Sequence, residues 1–299
     1  MKRMSHRTRG ILLTLGGVFI LSPDTLLISS VQADLWTLIF WRGFLTALTL
    51  SIAMGILDGK RFCKEALMLG VPGVIVGFFF ALSTVTFVAS VRLTKAANAL
   101  VIVAAMPLIA AVFTRIFLKE KVPVRTWAAV IAGFSGITLV FWGNFGSRAS
   151  IGDLIALGTA LLMAGNFVLI RKFGENNMLP AVVISGIATT IFSGFWASPL
   201  SIEGADFFLL GAMGIIVMPI PLAVMTVAPK LIPPAEVGLI MLLETFLGPL
   251  WVWLALGEKP GIHTMVGGGI LILALALHAW AGMRWPEPGD PYVFENQGV

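Results

Sequence analysis

Charge is scarce in this chain. Of 299 residues only 12% are Asp, Glu, Lys or Arg, where a soluble domain carries about 25%. Apolar residues make up 58%, with 32 Gly besides. So little charge cannot cover a water-soluble fold of this size. The shortage excludes a soluble enzyme, a disordered chain and a nucleic-acid-binding domain. Cysteine is almost absent. The single Cys63 excludes disulfides, cysteine metal clusters and paired-cysteine redox chemistry. There are three His and no His-Glu-x-x-His, so no zinc or other metal site is expected. No Gly-x-x-x-x-Gly-Lys-Ser/Thr loop occurs, so ATP does not drive the chain directly, and no cofactor is expected.

What fills the chain instead is long apolar runs. Crossing the hydrocarbon takes about 20 residues. Ten runs qualify, near 10–30, 35–57, 67–91, 96–118, 126–142, 154–170, 179–199, 207–229, 237–256 and 262–283. None alternates polar with apolar as a barrel strand does, and an open strand in lipid leaves its backbone unpaired. The expected class is an all-α integral membrane protein of ten transmembrane helices. The basic segment 1–9 and the apolar run behind it resemble a signal peptide. No small-residue cleavage site follows, and the run reads as a first anchor.

Basic residues orient the bundle. With the N-terminus inside, 14 of the 20 Lys and Arg fall on the cytoplasmic side, four outside and two within spans. Both termini are expected in the cytoplasm. Trp36, Trp127, Trp142, Trp196, Trp253, Trp280 and Trp285 fall near span ends, as interfacial anchors do.

The chain also repeats itself. Segment 97–126 lies on 235–264 without a gap. Ala97 meets Ala235, Ile102 meets Ile240, Glu120-Lys121 meets Glu258-Lys259 and Thr126 meets Thr264. Earlier in each half Gly10, Leu15 and Gly16 match Gly152, Leu157 and Gly158. Each half holds five spans. Five is odd, so the second half enters the bilayer from the opposite side. Inverted repeats of this kind place a solute site near the midplane, at the repeat interface.

Charges inside a bilayer cost about 2.5–3.5 kcal/mol each on insertion scales and are functional candidates by default. Asp24, Arg42, Arg115 and Glu244 lie within the expected spans. Asp24 is six residues before Ser30 and Arg42 seven after Leu35, about 9 and 10 Å deep from the same side. They can pair, either as a structural tie or as a gate. Glu244 lies midway along span nine, a candidate for carrying a proton or binding a substrate ammonium. Trp251, two turns on, could stack on a ligand from the same face. Arg115 can snorkel to the headgroups.

Asn166 is the repeat counterpart of Asp24. Asn98 and Glu236 open spans four and nine, as helix caps or pore-mouth contacts. Phe80 and Thr84 in span three, with Ser83 and Thr86, are candidates to line a cavity, although such hydroxyls often bond their own helix. Pro107, Pro219, Pro221 and Pro249 are expected to interrupt spans four, eight and nine.

These features resemble the drug/metabolite transporter superfamily in its ten-span EamA-type branch. The resemblance rests on two five-span repeats, each ending in Phe117-Leu118-Lys119-Glu120-Lys121 or Ala255-Leu256-Gly257-Glu258-Lys259. The front segment Ser22-Pro23-Asp24-Thr25-Leu26-Leu27 and Trp41-Arg42-Gly43 add to it. It implies repeats at 1–147 and 148–283 with a polar tail at 284–299. It also implies a bacterial inner-membrane secondary transporter, no enzyme, often an exporter of amino acids or related metabolites. Spans one, three, four, six, eight and nine then line a cavity near Asp24, Asn98, Asn166 and Glu244. Partners are a small-molecule substrate, membrane lipid and, as coupling ion, protons, with no nucleic acid. A lipid scramblase or flippase, a membrane-embedded enzyme and an accessory subunit are the alternatives.

Overall fold

A computed structural model describes residues 6–57, 59, 68–119, 122, 124–147, 149–173, 179–227, 231–232 and 234–284. Cys63, the Glu120-Lys121 dipeptide, the tail beyond 284 and the side chain of Glu236 lie outside the described residues.

The described chain is helical, as lipid requires of a backbone that must satisfy itself. Where the first five spans were expected lie α1 (His6–Leu21), α2 (Asp24–Ser30), α3 (Leu35–Leu57), α4 (Gly70–Leu93), α5 (Ala96–Val103), α6 (Met106–Phe113) and α7 (Val124–Asn144). Where the last five were expected lie α8 (Ala149–Phe173), α9 (Leu179–Gly194), α10 (Asp206–Ala212), α11 (Pro219–Val227), α12 (Pro234–Leu256) and α13 (Ile262–Arg284). Among the described residues, eight stretches are long and apolar enough to cross a membrane, and Leu179–Gly194 is a shorter apolar helix where span seven was expected; the helix where span nine was expected runs over Pro234–Leu256.

Span seven stops five residues before its expected end because the chain turns back there. The Ser198 N–H donates to Thr37 Oγ1 at 2.8 Å, and the Trp41 indole N–H donates to the Pro199 carbonyl at 3.1 Å.

Among the described residues, three of the expected spans are broken. Span one, expected to be continuous, divides at Ser22-Pro23 into α1 and α2. Span four breaks at Ala104-Ala105, just ahead of Pro107, and ends in a π-helical turn, Thr114–Leu118. Span eight passes through a π-helical turn, Met213–Val217, and restarts at Pro219. Pro249, expected to break span nine, sits inside a continuous α12. Proline removes one ladder bond, and a helix in lipid bears that loss because its backbone finds no better partner elsewhere.

The spans pack across the two halves: α3 against α9, α7 against α13, and α4 against both α8 and α9. Two of these crossings are close because glycine permits it. A Cβ on Gly43 would lie 3.0 Å from the Gly186 carbonyl oxygen, and one on Gly136 would lie 2.5 Å from that of Gly267. Small residues serve lipid-embedded helices in this way. Ile28, Leu38, Ile39, Val88, Ile102, Leu108 and Met213 form the core. The outside is equally apolar: Ile56, Leu57, Val124, Phe145 and Leu200 are largely exposed, which suits acyl chains and not water.

The end of the bundle opposite the N-terminus, called distal below, is tied by polar bonds. Asp206 accepts from the backbone N–H of Gln32 and of Ala33 at 2.9 and 2.7 Å. Arg92 donates to the carbonyls of Val31 and Ala33 at 2.8 and 3.0 Å. Asp153 accepts from Thr94 at 2.6 Å and Asn144 at 2.8 Å. Glu258 caps α5 through the Ala96 N–H at 3.0 Å. A ring cluster of Trp36, Phe192 and Trp196 sits beside this end, with the two indoles 5.1 Å apart.

Candidate functional site

The break in span one builds the site. Pro23 cannot extend α1 and instead precedes a new helix, so Asp24 falls in the first turn of α2. A carboxylate is favoured there because the unpaired N–H groups of a helix start are electropositive. The side chain meets Arg42 of α3. Nη1 donates to Oδ1 at 2.5 Å and Nη2 to Oδ2 at 2.9 Å, a two-pronged ion pair. Both residues are buried, 4% and 3% exposed. The matching depths read from the sequence therefore do become a contact. Arg42 Nη2 also lies 3.0 Å from Met218 Sδ, where span eight is broken.

Glu244 of α12 is half-buried, within coulombic reach of both Asp24 and Arg42. It makes no hydrogen bond to another described residue. Two breaks and three ionisable side chains thus converge on one level of the bundle.

Beside Arg42 lies a narrow recess of about 20 Å³, room for about one water. Arg42, Gly43 and Thr46 of α3 line it, with Phe80 and Thr84 of α4, Ser185, Gly186 and Thr189 of α9, and Met218 and Leu222. The family resemblance implied a cavity between spans one, three, four, six, eight and nine. The recess found lies between two, three, seven and eight. The glycine contact of α3 with α9 brings those two helices together at its edge. Glu244 does not line it.

Three buried polar atoms of its walls have no hydrogen-bond partner: Arg42 Nε, Thr46 Oγ1 and Thr189 Oγ1. Thr84, a predicted lining residue, spends its hydroxyl on the Phe80 carbonyl at 3.0 Å. Ser83 and Thr86 likewise bond back into α4, to Phe80 and Leu82. Asn166 is buried on α8, outside the recess, and its Oδ1 has no partner.

Two predicted residues are placed elsewhere. Asn98 neither caps a helix nor faces the recess. It accepts from Thr264 Oγ1 at 2.5 Å and lies 3.4 Å from Asp153 Oδ1, so it belongs to the polar cluster that ties spans four, six and ten. The start of α5 takes its cap from Glu258 instead. Trp251 does not line the recess either. Its indole N–H donates to Ser22 Oγ at 2.9 Å and its ring meets Phe19 edge-on, which props the break in span one. Arg115 is exposed on the π-helical turn that ends span four, as a snorkelling side chain is.

Three buried or half-buried charged residues went unnoticed in the sequence. Asp153, Asp206 and Arg92 each stand one residue beyond an expected span end. A carboxylate or guanidinium at such a boundary is the available signal. Among the described residues, no three His, Cys, Asp or Glu converge as metal ligands.

The EamA-like transporter family matches the chain twice, over 8–142 and 150–280. Protein RarD of Escherichia coli (strain K12) is 29% identical over 187 residues, 57% of this chain and 58% of that protein. The Uncharacterized transporter YvbV of Bacillus subtilis (strain 168) is 31% identical over 100 residues, 32% of this chain and 33% of that protein. The chain thus spans a third to somewhat over half of the length of these curated relatives. A crystal structure titled only as that of a protein shares the fold. At 18% identity it overlays 94% of this chain and 100% of its own, with a TM-score of 0.66.

Proposed function

The chain belongs to the EamA-like transporter family, and we propose that it is a proton-linked secondary transporter exporting small zwitterionic or cationic metabolites by alternating access. That it is a multi-pass membrane transporter follows from the family and the apolar helices. The substrate class, direction and coupling ion are our reading. The observation that carries it is the buried Asp24–Arg42 pair at the break of span one, with Glu244 in electrostatic reach. Ionisable groups are costly at this depth, and in transporters they mark substrate and proton paths. Discontinuous helices supply the half-helix ends that such sites use.

In this reading the two repeats rock about the level of the pair. Glu244 carries a proton or meets a cationic group, and the ion pair forms and breaks with the gate. The bias of Lys and Arg supports placing both termini in the cytoplasm of a bacterial inner membrane, with the polar ties at the outer face.

The test is flux of labelled amino acids and amines through vesicles reconstituted with the purified chain, with and without a pH gradient. Glu244→Gln is expected to abolish the response to the gradient. Wild-type rate and pH dependence in that variant would remove the proton role.

A further inference from the structure

The recess beside Arg42 follows the internal repeat. Thr46 and Thr189 are 143 residues apart, and so are Gly43 and Gly186, and Arg42 and Ser185. Phe80 and Met218 are 138 apart, the same spacing that overlays 97–126 on 235–264, and Thr84 and Leu222 keep it. All of these line the recess. Its wall is therefore made of matched pairs, and it straddles the axis relating the two repeats. What the pairs do not share is charge. The second repeat sets Ser185 where the first has Arg42, and Asn166 where the first has Asp24.

The unpartnered atoms sit on this axis. Thr46 and Thr189 are 7% and 1% exposed, Arg42 3%. A helical hydroxyl in an apolar setting ordinarily returns to a carbonyl of its own preceding turn. Thr84, Thr86, Thr190 and Ser193 do so; Thr46 and Thr189 do not. Nε–H can only donate, and a hydroxyl can donate or accept. One obligate donor among the hydroxyls of Thr46, Thr189 and Ser185 suits a ligand with two acceptor oxygens on one carbon. An ammonium group would instead face the guanidinium.

We infer that this recess is a carboxylate subsite, in which Arg42 Nε–H and the hydroxyls of Thr46, Thr189 and Ser185 hold the carboxylate of the transported solute. The inference rests on the transporter reading above and adds the chemical group and its ligands. As it stands the recess has room for about one water, so admitting the group requires Met218, whose flexible side chain borders it, to swing aside.

The test uses sodium acetate and methylammonium chloride at matched ionic strength, titrated against thermal unfolding of the detergent-purified chain. Acetate is expected to raise Tm saturably, since a ligand bound to the folded state alone stabilises it; methylammonium is not. Thr46→Val with Thr189→Val is expected to raise acetate's half-saturating concentration about tenfold or more. Its unliganded Tm should stay level or rise, because neither hydroxyl has a partner to lose. Ser185→Ala, a milder change, should weaken acetate a few-fold. The subsite is overturned by any of three results: no saturable acetate shift in the wild type, an equal shift with methylammonium, or full acetate response in both variants. Vesicle flux judges the carrier reading separately. Flux without an acetate response sinks the subsite alone, whereas an acetate response with no flux of any solute sinks the carrier reading and leaves a carboxylate site.

Discussion

Asp24→Asn removes the charge from one side of a buried pair and keeps the shape. The structure sets the size of the loss. Of the two charge-assisted hydrogen bonds, at 2.5 and 2.9 Å, one is replaced by an NH2 facing an N–H donor and the other loses its anionic acceptor; each is of a kind that contributes about 1.5–3 kcal/mol. Arg42 stays 3% exposed with its charge unanswered. Glu244 is near enough to offset part of this through space but makes no hydrogen bond to a described residue. Breaking a buried pair costs about 3–5 kcal/mol, and the presence of Glu244 puts the expectation at the lower end, about 3 kcal/mol. At about 2–4 °C per kcal/mol for a chain of this order, Tm falls by roughly 6–12 °C.

Asp24→Leu with Arg42→Met removes both charges and fills the space with apolar atoms. Such replacements are neutral or stabilising, so the double variant should return to within about 1 kcal/mol of the wild type. Thermal unfolding in detergent measures both, and vesicle flux is run on the same samples. The reasoning fails if Asp24→Asn shifts stability by less than about 1 kcal/mol, or if the double variant is no more stable than the single. Flux then separates the two roles left open by the sequence. A stable double variant that still transports makes the pair a packing tie, and a stable one that does not transport makes it part of the cycle.

Other perturbations test the frame around the site. Gly136→Val drives a side chain into the Gly267 backbone, where even a Cβ lies 2.5 Å from the carbonyl oxygen; it should destabilise by about 1–3 kcal/mol, seen as a lower Tm. Asp206→Asn turns an acceptor into a donor facing the N–H groups of Gln32 and Ala33. A Gln32→Cys reporter should then react several-fold faster with an impermeant maleimide, and an unchanged rate argues against a clamp at the distal end. Asp34, in the loop ahead of α3, has its pKa lowered from 3.8. Partial burial pushes it up, but hydrogen bonds from Thr37 and Trp36 together outweigh that push. The depressed value means that its contribution is present above about pH 4 and is lost as pH falls through the folded-state value. The Tm difference between wild type and Asp34→Ala should therefore shrink as the pH drops from 6 to 3, and a constant difference would contradict the assignment.

The class of fold was legible because lipid leaves a chain few options. Apolar runs of the right length, odd in number per half, imply helices and an inverted repeat before any contact is known. The pairing of Asp24 with Arg42 was legible for a similar reason: two charges at equal depth on adjacent spans have few other places to go. Boundaries were harder. Asp153, Asp206 and Arg92 lie one residue outside the apolar runs, so a hydropathy reading assigns them to loops. Tertiary packing buries both Asp residues and half-buries Arg92. Proline misled in both directions. Pro23 breaks span one because Ser22 and Asp24 each have partners waiting across the gap, Trp251 and Arg42. Pro249 has Gly248 at its side, pressed close to Leu100 and Thr25, and α12 runs on through it. A proline therefore breaks a span here only where neighbouring side chains reward the break, and that information is not local. The recess was invisible for the same reason, since its wall comes from four spans.

The distribution of polar contacts bears on which part of the bundle can move. The clamp on residues 31–33, the Asp153 cluster and the Glu258 cap all bind the distal end with directional bonds. Toward the other end lie apolar clusters: Leu69, Val76 and Ala181 form one, and Ile232 and Val237 another. A directional bond resists any displacement of its partners, whereas an apolar contact lets one surface slide over another at little loss of buried area. The breaks at Ser22-Pro23, Ala104-Ala105 and Met218 lie between these two regimes, each several residues in from the tied end. A span broken at that level can tilt one half without disturbing the directional bonds of the other. Asp24 and Met218 stand at two of those breaks and Arg42 touches both, so the buried charge pair lies at the level where the broken spans can bend.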